Sequence, residues 1–219
     1  MRRGPRLPLE ELAPYLLSTD CGSRTADSQG DPKWIDWRAV FGNDHPVELE
    51  IGFGKGLFLI AAAQTRPDVN FAGVEIIRKY QLFTATRLAK RVLRNVRVAC
   101  ADARRFLPAC VATASLQAVH VYFPDPWWKT RHHKRRVFTT EFVAECTRVL
   151  RPRGWFHAAT DVEEYARVMA ELLQQQSGLR SLPPPDEREP SHDLDYLTNF
   201  ERKFRKQGKP IFRMRYERS

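Results

Sequence analysis

The sequence is poor in cysteine, in long apolar runs and in acidic residues. Its four cysteines are scattered over 219 residues, with no C-x-x-C pair and no histidine at metal-ligand spacing. This pattern predicts reduced thiols, no disulfide and no structural metal. The longest apolar run, residues 57–63, is far shorter than the roughly 18 residues of a membrane span, and no signal peptide is recognisable. We therefore expect a cytoplasmic protein with no membrane partner.

The charge is strongly unbalanced. Thirty-six Lys and Arg residues against 26 Asp and Glu give a net charge of +10. Such an excess favours a polyanionic partner, nucleic acid before an anionic membrane, and the alternative is a merely soluble basic protein. The length and the 42% hydrophobic content are typical of one globular domain, which we place at residues 34–219. Residues 1–33 carry no recognisable motif and are predicted to be a flexible arm.

From residue 45 onward, strand-like segments alternate with helical ones. The predicted strands are 46–52, 69–76, 95–102, 116–123 and 154–161, and the predicted helices are 56–65, 78–94, 139–150 and 162–176. Helix 78–94 is amphipathic with a basic face, and residues 208–218 alternate apolar and basic residues like an edge strand. Strand–helix alternation at this spacing indicates an α/β domain with a parallel sheet.

A glycine loop follows the first strand. Gly52, Gly54 and Gly56 stand at alternate positions, which suits a tight turn and a close approach to a ligand. A dinucleotide fingerprint needs a glycine at 57, but that residue is Leu57. Glu50 precedes the loop, where a carboxylate can meet a cationic group. The loop therefore predicts a small cofactor that carries a positive charge and no pyrophosphate.

Two further acids follow the next two strands. Glu75 is placed to accept from ribose hydroxyls, as the acid of nicotinamide sites does, and Asp102 is placed to accept from an adenine amino group. Together with Glu50 and the glycine loop, these acids fit S-adenosylmethionine, which combines an amino acid, a ribose and an adenine. The sequence predicts this cofactor, with S-adenosylhomocysteine as its product, and no metal.

The motifs "EIGFGKG", "GVEI", "CADA", "FPDPWWKTRHHKRR", "ATD" and "TNFERKFRKQGKPI" closely resemble those of the bacterial tRNA (guanine-N7-)-methyltransferases. The resemblance runs in order from about residue 40 to 217. It implies a Rossmann-like class I methyltransferase with a doubly wound, mostly parallel seven-stranded sheet and an antiparallel edge strand near the C-terminus. It also implies methyl transfer from S-adenosylmethionine to N7 of guanine 46 in the variable loop of tRNA, by a monomer or a homodimer.

Asp125 is the predicted catalytic residue. N7 carries a free lone pair, so no base is needed, but the methylated ring becomes cationic and a fixed carboxylate would stabilise it. Asp125 can also accept from the N1–H and amino group of guanine, and Pro124 and Pro126 stiffen the backbone on either side. For Trp127 and Trp128 two roles stay open: stacking on the base, and anchoring the loop.

The resemblance and the charge pattern assign the remaining site residues. The cofactor-binding set is Glu50, Gly52, Gly54, Glu75, Asp102 and Asp125. The substrate-binding set is Lys129, Asp161, Thr198, Asn199, Phe200 and Glu201. The predicted RNA-binding set is Arg131, His132, His133, Lys134, Arg135 and Arg136. Helix capping is the alternative for Asp161 and for the Thr198–Glu201 pair, and His120 is interpreted as a packed strand residue.

Three other functions compete with this interpretation. Enzymes that methylate an exocyclic amino group carry a related loop after the fourth strand, in which Pro and aromatic residues are arranged differently from "PDPW". A non-catalytic RNA-binding protein would have no use for Glu50, Glu75, Asp102 and Asp125 together. A nicotinamide oxidoreductase would require the third fingerprint glycine.

Overall fold

The structure is a computed structural model, and it describes residues 7–21, 34–127, 136–184 and 198–219. Seven strands form one sheet in the order β3-β2-β1-β4-β5-β7-β6. The strands are β1 (Val47–Ile51), β2 (Asn70–Glu75), β3 (Val96–Cys100), β4 (Leu116–Tyr122), β5 (Leu150–Thr160), β6 (Leu179–Leu182) and β7 (Phe212–Arg218). β1 to β5 pair in parallel, and β7 runs antiparallel to β5 and β6. The predicted doubly wound fold is confirmed, although β7 lies one place in from the edge, which β6 occupies.

Eight α-helices are described, besides a 3-10 turn at Ala13–Tyr15. They are α1 (Leu9–Leu12), α2 (Trp37–Phe41), α3 (Leu57–Thr65), α4 (Arg78–Ala89), α5 (Ala103–Cys110), α6 (Thr140–Val149), α7 (Glu163–Gln174) and α8 (Asn199–Lys206). The four predicted helices correspond to α3, α4, α6 and α7, and α4 ends five residues before the predicted bound at 94. α5 was not predicted. It contains Pro108, and a proline, which lacks the backbone N–H, normally argues against a helix. Over the described part of the chain, no helix is long and apolar enough to cross a membrane.

The sheet separates two apolar cores. One contains buried residues of α5, α6 and α7, with Phe106, Phe142 and Met169 among them. The other contains buried residues of α1, α3 and α4, with Phe58 and Leu88 among them. β1 and β2 are buried along their whole length, as expected for central parallel strands covered on both faces. This double cover leaves the strand ends as the place where a ligand can reach the sheet.

Residues 7–21 wrap around the open edge of the sheet at β3. Leu12 and Tyr15 pack in the core of α3 and α4, whereas Leu17 packs in the core on the other face. Between them, Leu16 forms a parallel β-bridge with Val98 of β3. The Leu17 N–H donates a hydrogen bond to the Val98 carbonyl at 3.0 Å. The edge of β3 is thereby covered. The prediction of a loosely held arm is wrong for residues 7–21, because they bury apolar side chains on both faces; the boundary at residues 33/34 stays a prediction.

The prediction of no disulfides is also wrong. Cys21 and Cys110, 89 residues apart in the sequence, are joined by a disulfide with their Cα atoms 5.1 Å apart. The pairing follows from the wrapped segment, which carries Cys21 over the sheet edge to the C-terminal end of α5. Their spacing in the sequence gives no sign of it. Cys100 and Cys146 are free.

A buried polar chain crosses the sheet on the side covered by α3. Glu48 Oε1 accepts from Arg66 at 2.7 Å, and Glu48 Oε2 lies 2.9 Å from His120 Nε2. His120 Nδ1 in turn lies 2.9 Å from the Tyr122 hydroxyl, and Phe58 packs against both rings. Burial raises the Glu48 pKa, but the hydrogen bonds from His120 and Arg66 outweigh it and hold that pKa at about 2. The chain secures the end of β4 from which the loop of Asp125 leaves.

His157 on β5 stacks on His120, with ring centroids 5.0 Å apart and an interplanar angle of 7°. Burial, with the charges of His120 and Arg215, lowers the His157 pKa from 6.5 to about 3. The folded protein therefore binds fewer protons than the unfolded chain between these values. The stabilisation is complete above pH 6.5 and is lost as the pH falls through that window, by up to about 1.4 kcal/mol per pH unit.

We expect His157→Phe to remove the loss of unfolding free energy that His157 contributes as the pH falls from 6.5 to 5. Glu50, whose raised pKa gives an opposite slope in this range, is present in both proteins and cancels in the comparison. The measurement is urea denaturation of the wild-type protein and the variant, and the result is the difference between their slopes against pH. Glu48, with a folded pKa of about 2, contributes little change in this range. Parallel slopes for the two proteins would show that His157 protonates without disturbing the fold.

Candidate active site

The candidate site lies at the carboxyl edge of the sheet, beside β1 and β4. β1 pairs with β2 on one side and with β4 on the other, so the chain reverses its direction of winding at this seam. Such a reversal leaves a crevice outside the strand ends, which is where open α/β sheets bind ligands. Glu50 within β1, Glu75 at the end of β2, and the acids predicted after β3, β4 and β5 all lie on or next to this edge.

The glycine loop leaves β1 and begins α3. Gly52, Gly54 and Gly56 all have positive φ angles, and a Cβ at Gly56 would lie 2.3 Å from Thr84 Cγ2. A side chain at this position is therefore opposed both by the backbone and by α4. The Gly54 N–H donates to Glu75 Oε2 at 3.0 Å, so the end of β2 holds the loop in place.

Glu75 is 7% exposed at the end of β2. Its Oε1 accepts from the Ile77 N–H at 3.0 Å, while its Oε2 accepts from Gly54. A carboxylate offers about four lone-pair sites, so these two bonds orient the group and leave acceptor capacity on both oxygens. The geometry suits the predicted acceptor for ribose hydroxyls, and that role stays a prediction.

Glu50 is the most unusual residue of the site. It is 4% exposed, and its Oε2 atom is buried without a hydrogen-bond partner among the described residues. Burial, together with the negative charge of Glu75, raises the Glu50 pKa from 4.5 to about 8. A buried carboxyl with an unused acceptor is costly. A cationic group placed against Glu50 would remove that cost, so the residues present fit a ligand that carries an ammonium group.

Asp102 follows β3 as predicted, but its carboxylate is already engaged. It caps α5 by accepting from the Arg104 N–H at 3.0 Å, and Oδ2 lies 2.7 Å from Arg104 Nη2. The hydrogen bond from the Arg104 side chain is the main reason that the Asp102 pKa is lowered. An adenine amino group at Asp102 would share the carboxylate with Arg104, and this role stays a prediction.

Asp125 is exposed in the loop that leaves β4. The loop turns sharply, because Phe123 and Trp127 have φ angles of 52° and 41°. Arg136 holds it: its Nε donates to the Pro126 carbonyl at 2.6 Å, and its guanidinium lies over the Tyr165 ring, 5.4 Å from the centroid. Arg136, predicted as an RNA contact, is thus a structural support of the loop, and its contact with RNA stays a prediction.

The substrate-binding candidates lie near the ends of β5 and β7. Asp161 is partly buried in the bend after β5, and it does not cap α7, whose N-cap is Val162 with no side-chain cap. Thr198 does cap α8, accepting from the Glu201 N–H at 3.0 Å. The Glu201 carboxylate binds Arg213 at 2.7 Å and Arg205 at 3.3 Å, and Arg213 pairs with Ala159 near the end of β5.

Several predicted residues lie outside the described part of the chain. They are Trp128, Lys129, Arg131, His132, His133, Lys134 and Arg135. Asn199 and Phe200 are placed in the backbone of α8, but their side chains are not described. The geometry therefore joins Glu50, the glycine loop, Glu75, Asp102, Asp125, Asp161, Thr198 and Glu201 at one edge, and the assigned roles stay predictions.

Two contributions to the site were not anticipated from the sequence. One is the Glu48–His120–Tyr122 chain under β4, and the other is Arg213, which fixes Glu201. The first had a detectable signal, because Glu48 and His120 are polar residues at inward positions of central strands. Arg213 had none, since its partner stands 12 residues away across a turn. Within the described ranges, no group of three or more His, Cys, Asp and Glu residues is placed to hold a metal ion.

The fold is shared with methyltransferases of known structure. The chain superimposes on the 16S rRNA methyltransferase KamB with a TM-score of 0.59 over 85% of this chain and 94% of that one, at 16% identity. Residues 44–214 match the family described as "Putative methyltransferase". The class of protein is therefore a methyltransferase with a Rossmann-like fold.

Sequence relatives narrow the class to one family. The chain is 40% identical over 222 residues to the tRNA (guanine-N(7)-)-methyltransferase of Rhodopirellula baltica, covering 99% of this chain and 81% of that protein. It is 38% identical to the enzyme of the same name from Histophilus somni, covering 81% and 71% of the two chains. The chain belongs to the tRNA (guanine-N(7)-)-methyltransferase family.

Because the Glu50 carboxyl is protonated in the free site, we expect it to release a proton when a ligand with an ammonium group binds. Since the Glu50 pKa is raised to about 8, the free site is mostly protonated below that pH, whereas an ammonium requires the ionised carboxylate. We expect the affinity for S-adenosylhomocysteine to rise with pH from about 6 to 8, approaching tenfold per unit, and then to level off. Calorimetry in buffers of different ionisation enthalpy measures the proton released.

Two controls isolate the Glu50 carboxyl. 5′-Methylthioadenosine shares the adenosine and the thioether but lacks the ammonium, so its binding should show little of this pH dependence. Glu50→Gln should bind S-adenosylhomocysteine more weakly and without proton release. An equal pH response for the two ligands in the wild-type protein would place the ammonium elsewhere.

Proposed function

We propose that this protein transfers a methyl group from S-adenosylmethionine to N7 of a guanine in tRNA, and that this guanine is residue 46 of the variable loop. The observation that carries the proposal is the 40% identity to a tRNA (guanine-N(7)-)-methyltransferase over 99% of the chain. The acidic edge of the sheet supports it independently, because its carboxyl groups suit the cationic and hydroxyl-rich parts of this cofactor. The tRNA substrate is consistent with the net charge of +10 and with a cytoplasmic location.

The reaction requires neither a general base nor a nucleophile from the protein. The bound cofactor supplies an electrophilic methyl group on a sulfonium, and guanine N7 supplies the lone pair that attacks it. No proton is removed in this step, so catalysis rests on holding the two reactants in line and on stabilising the charge that develops on the purine. The described edge offers carboxylates for both purposes.

The chain's residues divide between cofactor and substrate. Glu50 receives the ammonium, Glu75 the ribose hydroxyls, and Asp102 the adenine amino group beside Arg104. Gly52 and Gly54 let the backbone approach the cofactor closely. In chain order Asp125 stands between the cofactor acids and the substrate candidates, which agrees with its assignment as both a catalytic and a cofactor-binding residue. All these groups come from one chain, so a monomer or a homodimer suffices for activity.

Asp125 gives the site its selectivity for guanine. As an exposed carboxylate on a loop held by Arg136, it can accept from the guanine N1–H and amino group while it faces the ring that becomes cationic. Asp161, Thr198 and Glu201 extend the substrate side of the edge, and Lys129 with the cluster from Arg131 to Arg135 supplies phosphate contacts. An adenine would present an acceptor at N1, where the carboxylate needs a donor.

The proposal is tested by incubating the protein with isotopically labelled cofactor and unmodified tRNA transcripts, followed by nucleoside analysis. We expect 7-methylguanosine at position 46 and no product with a transcript in which that guanine is replaced by adenine. Methylation of an exocyclic amine would instead show that this protein acts like the related amino-methyltransferases. Tight tRNA binding without any transfer would identify a binding protein.

Asp125→Asn should lower the rate of methyl transfer by roughly 10²–10³, the loss expected for one preorganised electrostatic contact. The asparagine preserves size and one acceptor, so the loop held by Arg136 should persist. It removes the charge that faces the developing cation, and its amide can turn a donor toward the guanine N1–H. The measurement is single-turnover methylation of a tRNA transcript, with cofactor and tRNA affinities recorded separately.

Asp68→Asn is the matched control for this variant, because Asp68 is exposed between α3 and β2, at the opposite edge of the sheet. It should leave the rate unchanged. If Asp125→Asn turns over like the control with binding intact, catalysis rests on positioning alone, and the carboxylate only shapes the loop.

A further inference from the structure

A second cationic surface lies on α4, away from the loop of Asp125. Between Glu75 and Asp102 the chain has seven Lys and Arg residues and no acidic residue. α4 buries Gln81, Thr84, Ala85 and Leu88 against the sheet. Its opposite side and the turn after it are exposed, and we call this surface the α4 strip: Lys79, Phe83, Lys90, Arg91 and Arg94.

The charges of the α4 strip are not neutralised by any described residue. Lys79, Lys90, Arg91 and Arg94 form no ion pair with the described part of the chain, whereas Arg38, Arg167 and Arg180 on other surfaces each pair with an acid. Lys90, Arg91 and Arg94 lie close together in the turn after α4, and like charges at this spacing repel one another at a cost in stability. An anionic partner that neutralises these charges would remove the repulsion, and we infer such a partner for this surface.

An exposed aromatic ring is set among these charges. Phe83 is 40% exposed, and the Arg87 guanidinium lies over its ring, 5.9 Å from the centroid. Val92 is 61% exposed beside Arg91. An apolar ring beneath a guanidinium, flanked by lysines and arginines, suits a nucleic acid, which offers both phosphates and flat stacking faces.

The α4 strip begins at the candidate site and leads away from it. α4 starts three residues after Glu75, and Arg87 donates to the carbonyl of Lys55 in the glycine loop. The 12 residues of the helix then extend about 18 Å toward the opposite edge of the sheet. A long RNA whose target base lies at the site would therefore have a second segment within reach of this flank.

We propose that the α4 strip is a second RNA-binding surface, which contacts the phosphate backbone of a helical arm of the tRNA remote from the methylated base. This inference rests on the proposed function for its substrate. The surface contributes to affinity and not to chemistry, because its cations are separate from the groups assigned to the cofactor and to the guanine. It reads charge and shape, not sequence.

The test compares two variants with equal loss of charge. The strip variant carries Lys79→Gln, Lys90→Gln, Arg91→Gln and Arg94→Gln. The control variant carries Arg38→Gln, Arg105→Gln, Arg167→Gln and Arg180→Gln, on α2, α5, α7 and β6. The control cations are also exposed, and breaking exposed ion pairs costs little stability.

We expect the strip variant to bind tRNA on the order of 10- to 100-fold more weakly than the control variant at moderate salt. If about three of its four cations contact phosphate, the slope of log K against log salt should be shallower by roughly 2–3 than in the wild-type protein. KM for tRNA should rise while kcat at saturating tRNA and the affinity for S-adenosylhomocysteine stay unchanged. The loss should be small for a short stem-loop that contains only the variable region.

Two results would overturn the inference. One is a strip variant whose tRNA affinity and salt slope match those of the control variant, while the wild-type protein methylates tRNA normally. The other is strip-dependent binding to vesicles of phosphatidylserine and phosphatidylcholine with unaltered tRNA binding, which would assign the surface to a membrane. Absence of methylation by the wild-type protein would instead refute the proposed function, and the tRNA-binding comparison would still decide the role of the strip.

Discussion

Two buried carboxyl groups on the central strand, two residues apart, govern the organisation of this protein. Glu48 is neutralised by Arg66 and hydrogen-bonded to His120, and its pKa falls to about 2. Glu50 lacks such partners among the described residues, and its pKa rises to about 8. The same strand thus carries one carboxylate that stabilises the fold and one that destabilises it until a ligand arrives. The position of Glu50 at the seam of β1 and β4 makes that ligand site coincide with the topological switch point.

The sequence predicted the parallel part of the fold well because its strands are continuous apolar segments separated by helices of regular period. β1, β2, β3 and β4 match the predicted ranges to within one or two residues at each end. The failures have local causes. β6 is four residues long, with Arg180 and Ser181 exposed, so it has no periodic signal. β5 begins at Leu150, four residues before the predicted strand start at 154, because tertiary pairing with β4 overrides the local preference.

The acidic edge was predictable because Glu50, Glu75, Asp102, Asp125 and Asp161 stand at or near the carboxyl end of a strand, and strand ends converge in a parallel sheet. What each acid binds inside the protein was not predictable. Asp102 binds Arg104, and Glu201 binds Arg213. Arg136, which was predicted to contact RNA, supports the loop of Asp125. These contacts join residues on different elements, or depend on a side chain's direction, and neither is encoded in spacing. The same reason explains the missed link between Cys21 and Cys110.

That disulfide divides the molecule in a way that matches its chemistry. The segment between Cys21 and Cys110 contains β1, β2 and β3, and therefore Glu50, the glycine loop, Glu75 and Asp102. Asp125, Asp161, Thr198 and Glu201 all follow Cys110. Apart from Asp125, the groups assigned to the cofactor thus lie within a covalent macrocycle, whereas the groups assigned to the guanine lie in the chain that follows it. The loops assigned to the bulky RNA therefore lie outside the covalent ring, whereas most of the groups assigned to the small cofactor lie inside it.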